Sequence, residues 1–232
     1  FIPASVSGQS GEVSFVPETI FKQYANEGSL YFSDDYELTD RIKINMGGRY
    51  TVFQHDGYIS IKDMINNEFT QETESQYRHF EPRFSARYSI NPTTSFKSSF
   101  TQNYQYIHLA SLGGMSMPMD LWLPSSSIIN PTKGEQYTTG IFKNFKNNSI
   151  ETSIEFYYKE MENLIEYKEG SFPEDNANAS QDELLTFGDG QSYGAEFFVK
   201  RSVGNTTGWI GYTHSYTYRT FPSIFLKAQT TT

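Results

Sequence analysis

Apolar and charged side chains alternate with a period of two, ten or more residues at a stretch, through most of the sequence. Between 41 and 52, Ile42, Ile44, Met46, Gly48, Tyr50 and Val52 share one parity. Arg41, Lys43, Asn45, Gly47, Arg49 and Thr51 share the other. Residues 79–90 repeat the pattern, with Phe80, Pro82, Phe84, Ala86, Tyr88 and Ile90 set against His79, Glu81, Arg83, Ser85, Arg87 and Ser89. Residues 150–159 and 209–219 do the same. Successive side chains of a strand point to opposite faces, so each segment makes an apolar face backed by one that carries ions. No segment has a comparable 3.6-residue period; 13–25 carries only a weak helical pattern.

Strands are expected at 27–38, 41–53, 77–90, 94–106, 135–145, 149–167, 184–201 and 207–220. The connections alternate in length. Thr39-Asp40, Asn91-Pro92-Thr93, Lys146-Asn147-Asn148 and 202–206 are short and rich in turn formers; 54–76, 107–134 and 168–183 are long. All short turns then lie at one end of the sheet and all long loops at the other, the plan of an outer-membrane barrel. A tilted strand crosses a bilayer in about 9–11 residues, and every expected strand is at least that long. The fold expected is all-β, an antiparallel transmembrane β-barrel segment.

Composition narrows the function. A net charge of -9 argues against nucleic acid as partner. Without cysteine there is neither a disulfide framework nor a thiolate. The four histidines lack zinc-ligand spacing, and no metal or cofactor is expected. No apolar run exceeds three residues, as in Leu121-Trp122-Leu123, so neither a transmembrane helix nor a secretory leader is expected. Loops 54–76 and 168–183 each carry five acidic residues and one lysine, the reading of solvated external loops. A soluble sandwich that binds carbohydrate also alternates, but its strands run to about 5–6 residues. Eight strands could close a small barrel, including a small outer-membrane hydrolase. The many ionic groups on one face and the ragged ends favour a piece of a larger barrel. Residues 1–224 are read as a partial barrel domain, and 225–232 as an atypical tail left by truncation, frameshift or a cloning scar.

Several stretches resemble the β-barrel domain of TonB-dependent outer-membrane receptors, in particular the nutrient receptors of the Bacteroidetes type. They are 27–36 (EGSLYFSDDY), 47–50 (GGRY), 80–84 (FEPRF), 105–109 (QYIHL), 118–122 (PMDLW), 157–161 (YYKEM), 192–196 (SYGAE) and 208–213 (GWIGYT), in order along residues 12–222. The resemblance implies a 22-stranded barrel, of which these eight strands would be about a third, in the bacterial outer membrane around a plug domain. It implies import of a nutrient of unknown class, driven through the inner-membrane TonB complex, with outer-membrane lipid against the apolar face.

Two constellations bear on chemistry. His79, Glu81, Arg83 and Arg87 share a strand face, but neighbours at i and i+2 stand about 7 Å apart. They read as a lumenal charge ladder, and no catalytic set can be assembled, so no enzyme is expected. In the long loop, Tyr106 and Trp122 could stack on a ligand ring while His108 and Asp120 hydrogen-bond it. Tyr50, Tyr88, Tyr104, Tyr158, Tyr212, Tyr216 and Tyr218 read as a headgroup girdle.

Overall fold

The computed structural model describes residues 22–59, 75–110, 121–168, 185–222 and 229–231. Eight long strands form one antiparallel sheet: β1 (Lys22–Thr39), β2 (Ile42–Ile59), β3 (Ser75–Asn91), β4 (Thr94–Gln105), β7 (Thr132–Phe145), β8 (Ile150–Tyr167), β9 (Leu185–Arg201) and β10 (Gly208–Thr220). Each pairs with its neighbour in chain order. A short β11 (Gln229–Thr231) pairs with β10 inside the stretch read as an atypical tail. A separate hairpin, β5 (Ile107–Ala110) and β6 (Leu121–Pro124), stands in the loop between β4 and β7. The main sheet is open, with β1 at one edge and β11 at the other. The alternative, a soluble sandwich, would cover the apolar face with a second sheet; among the described residues none does so.

Local chemistry sets the short turns. Thr39 Oγ1 accepts from the amides of Arg41 and Ile42 at 3.2 and 3.1 Å, and Asn91 Oδ1 accepts from the Thr93 amide at 3.0 Å. Lys146, Asn147 and Asn148 turn the chain with φ of 48, 53 and 64°, a region asparagine tolerates better than most residues.

Register joins the outward apolar residues across strands. Met46, Phe84, Phe100, Tyr137, Tyr158, Tyr193 and Tyr216 are successive direct partners on seven strands. Phe100 and Tyr137 rings lie 5.0 Å apart, and Tyr193 and Tyr216 rings 5.7 Å. On β2 and β3 apolar residues continue four positions beyond this row, to the partners Tyr50 and Phe80. On β7 and β8 charge begins two positions beyond it, at the partners Glu135 and Glu160. The apolar band therefore slants across the sheet. Strands tilted by about 40° and spaced about 4.8 Å shift it by about 4 Å per strand, or about 12 Å from β3 to β8. Four residues of strand rise about 13 Å. The slant thus has the size that barrel tilt produces.

Gly48 has a positional reason within this band. A Cβ there would come within 2.4 Å of the Phe80 ring, and Phe32 and Phe80 stack over the gap with centroids 6.4 Å apart. Glycine on one strand lets aromatic rings from both neighbours close over it.

Candidate functional site

The face opposite the aromatic row is polar. Lys43, Arg87 and Lys97 are direct partners on β2, β3 and β4, as are Gly47, Arg83 and Thr101 four residues further along β2. The ladder seen in the sequence is held as separate groups. His79 stacks on Tyr104 with centroids 3.8 Å apart and shares a hydrogen bond between Nδ1 and the Tyr106 hydroxyl at 3.0 Å. Glu81 accepts from Thr51 Oγ1 at 3.2 Å, and Arg83 donates to Asn103 Oδ1 at 3.2 Å. Arg49 pairs with Glu27 at 3.3 Å, and Lys43 with Glu37. Among the described residues no three His, Asp or Glu side chains converge to hold a metal ion.

At the end carrying the long loops, β4 stops at Gln105 and β7 starts at Thr132, while β3 and β8 run on beside them. The β5–β6 hairpin and residues 125–131 occupy the space above the shorter pair. On one side Tyr77 donates to the Ser126 carbonyl at 2.6 Å. On the other, β8 carries a bulge between Met161 and Leu164, where Asn163 takes φ 58°. Asn163 Nδ2 donates to the Pro131 carbonyl at 3.2 Å, and the Asn163 carbonyl accepts from Thr132 Oγ1 at 2.9 Å. Bulges re-aim side chains in this way. Beyond the bulge, Ala110, Leu123 and Ile129 pack with Tyr167 and Leu185 of the β8 and β9 loop ends in a small buried cluster.

His108 is 2 % exposed. The single hydroxyl proton of Thr132 goes to Asn163, so Thr132 Oγ1 accepts from His108 Nδ1–H at 3.3 Å. His108 Nε2 then accepts from Ser125 Oγ at 3.0 Å. This arrangement holds a neutral imidazole, and burial pushes its pKa down to about 4. A hydroxyl, an imidazole and a second hydroxyl in line have the order of a nucleophile, base and orienter. Ser125 is wholly buried, however, with no open face toward a substrate.

The expected ligand residues part company here. Tyr106 is 3 % exposed, stacked on Phe53 with centroids 4.9 Å apart; burial raises its phenol, with Glu81 and Glu27 adding to the rise. Tyr106 and His108 are both buried within the structure. Trp122 is 63 % exposed, opposite Leu109 across the hairpin. Asp120 lies outside the described residues. The sequence reading missed Ser125, Thr132 and Asn163, which fix the hairpin. The only sequence signals for it are the short alternations around His108 and Leu123.

The sequence model of the family described as TonB dependent receptor-like, beta-barrel, matches residues 3–232. No curated protein matches the chain. The fold is similar to that of the ferripyoverdine receptor of the outer membrane of Pseudomonas aeruginosa, at 18 % identity and a TM-score of 0.58, covering 90 % of this chain and 24 % of that one. It is similar to the FrpB iron transporter from Neisseria meningitidis, at 11 % identity and a TM-score of 0.56, covering 86 % and 27 %. It is also similar to the alcaligin outer-membrane receptor FauA from Bordetella pertussis, at 18 % identity and 0.52, covering 90 % and 32 %. The chain thus spans between about a quarter and a third of these receptors. With one face banded in aromatics, the other ionic, and its turns and loops at opposite ends, the chain belongs to the TonB-dependent receptor-like β-barrel family of the outer membrane.

Proposed function

We propose that this chain forms part of the wall and of the ligand-receiving mouth of a receptor that imports a nutrient across the outer membrane, powered through the TonB complex. The carrying observation is the slanted aromatic band on one face of eight long strands, backed by an ionic face. Lipid covers the band, and the ionic face lines a lumen that holds a plug domain. The role is transport rather than catalysis.

At the mouth, Trp122 offers an exposed ring for a ligand to stack on, with Asp120 two residues before it. Tyr106 and His108 act from beneath by holding the hairpin in place. Of the similar structures named above, one is a ferripyoverdine receptor and one an iron transporter, which makes iron chelates the first ligands to try, ahead of oligosaccharides and peptides.

The test is uptake by cells carrying the full-length receptor, using labelled ferric siderophores, oligosaccharides and peptides in parallel. Accumulation of one class that stops when either the receptor or TonB is deleted is the expected result. Accumulation that persists without TonB contradicts the reading.

A further inference from the structure

Asp34 is the odd member of the aromatic row. It is the direct partner of Met46, so it extends that row onto β1, and its side chain stands exposed on the outward face. Leu30 and Phe32 lie to one side of it along the strand and Tyr36 to the other, on the same face and all exposed. The position is deep within the apolar band. On β2 that band runs from Ile42, four residues before Met46, to Tyr50, four residues after it. Four residues rise about 13 Å along a strand, or about 10 Å across the bilayer at a tilt of about 40°. An aspartate side chain is too short to reach either headgroup layer over that distance. A carboxylate at such a depth is costly and is retained where it has a partner.

The β2 side of Asp34 supplies no such partner. Ile44, Met46 and Gly48 stand there, and the first cation on the outward face of β2 and β3 is Arg78. Arg78 is the partner of Val52, six residues from Met46 and so about 20 Å away. Among the described residues Asp34 makes no hydrogen bond or ion pair. The carboxylates on the other face of β1 differ: Asp35 accepts from Asn45 Nδ2 at 2.9 Å, and Glu37 pairs with Lys43. The remaining side of Asp34 is the open edge of β1. An open edge does not stand in lipid, so in the whole receptor another strand runs along it. The outward side chain of that strand opposite Asp34 then has its Cβ about 4.5–5.5 Å away.

We propose that Asp34 is one half of an ion pair on the lipid-facing side of the barrel, the other half being a lysine or arginine on the strand that adjoins β1. This rests on the receptor reading above. A cation in direct contact offsets the cost of holding a carboxylate in hydrocarbon, and its hydrogen bond to the charge is stronger than that of a neutral donor. The pair also fixes the register of the adjoining strand. A slip of one residue turns the cation to the lumen, and a slip of two carries it about 7 Å along, so either leaves Asp34 alone in lipid.

The test is urea unfolding of the full-length receptor in lipid vesicles, read by the heat-dependent gel shift of a folded barrel. The variants are Asp34→Leu, the change to leucine of the lysine or arginine opposite it, and the two together. The expected result is that each single change lowers the urea midpoint by about 1 M and that the double variant recovers most of the loss. If a single variant does not fold, folding restored in the double variant reads the same coupling. Four results would overturn the pair and leave the receptor reading standing: a midpoint unchanged or raised in Asp34→Leu, losses that add in the double variant, a double variant that fails to fold along with the singles, or an adjoining strand with no outward lysine or arginine beside Asp34. Absence of the gel shift in the unmodified receptor would sink the receptor reading, and the pair with it.

Discussion

Asn163, held at φ 58° in the β8 bulge, donates from its side-chain amide to the carbonyl of Pro131 at 3.2 Å. This contact, with the Thr132 hydroxyl on the Asn163 carbonyl, ties the extracellular hairpin to the wall. Asn163→Ala removes the amide and places a Cβ-bearing residue of lower left-handed tolerance in the bulge. It should cost about 1–3 kcal/mol of local stability. Asn163→Gly keeps the backbone at ease and should cost less. Hydrogen exchange at 107–110 and 121–124 in the folded receptor reads both. Equal protection in all three proteins would show that the bulge does not hold the hairpin.

His108 makes the same hairpin sensitive to acid. Its folded pKa of about 4 lies below the ordinary value of 6.5, so the opened hairpin binds the proton more readily than the closed one. Closure is therefore at full strength above about pH 6.5, and weakens as pH falls toward 4. The total loss is about 3 kcal/mol at most. Exchange protection at 107–110, corrected for intrinsic rates, should fall between pH 7 and pH 5, and His108→Asn should flatten the dependence. An unchanged slope in that variant would remove His108 as the cause.

Trp122 tests the mouth. Because its side chain is 63 % exposed, Trp122→Ala should leave unfolding within about 0.5 kcal/mol of the parent. Ligand affinity should drop by about three- to tenfold, the range of one lost aromatic contact. Tyr106→Phe should do the reverse. It removes the bond to His79 and weakens the fold by about 1 kcal/mol while leaving a directly contacted ligand unaffected. Binding measured by fluorescence on the full-length receptor separates the two.

Gly48 and Gly28 form a matched pair on the outward face. A Cβ at 48 meets the Phe80 ring within 2.4 Å, whereas nothing lies within 4 Å of one at 28. Gly48→Ala should cost about 1–3 kcal/mol from overpacking, and Gly28→Ala should be neutral or slightly stabilising. Urea unfolding in lipid vesicles gives both values. Equal effects would mean that Phe32 and Phe80 do not close over Gly48.

The long strands were legible because period-two alternation is local. The sequence reading starts the first strand at 27 rather than Lys22 and ends the second at 53 rather than Ile59, since beyond those points the alternation fades though pairing continues. The resemblance carried the family. Register was not legible: nothing in the sequence aligns Tyr137 with Tyr158 and Tyr193, because that depends on where each turn sets the next strand. The burial of Tyr106 and His108 was not legible for a similar reason. Tyr106 and His108 have the composition of a binding loop, and only the tertiary fit brings them against Phe53, His79, Ser125 and Thr132. Trp122, by contrast, stays 63 % exposed.

The central claim is that one face of the sheet meets lipid and the other a watery lumen. It is tested most directly by a nitroxide scan of β7 from 137 to 145 in the full-length receptor in lipid vesicles. Collision with oxygen reports lipid exposure, and collision with a water-soluble nickel chelate reports aqueous exposure. The account predicts a period of two. Labels at 137, 139, 141, 143 and 145 should favour oxygen, peaking near 141, and those at 138, 140, 142 and 144 should favour nickel or be shielded from both. Nickel access at both parities alike would contradict the barrel wall.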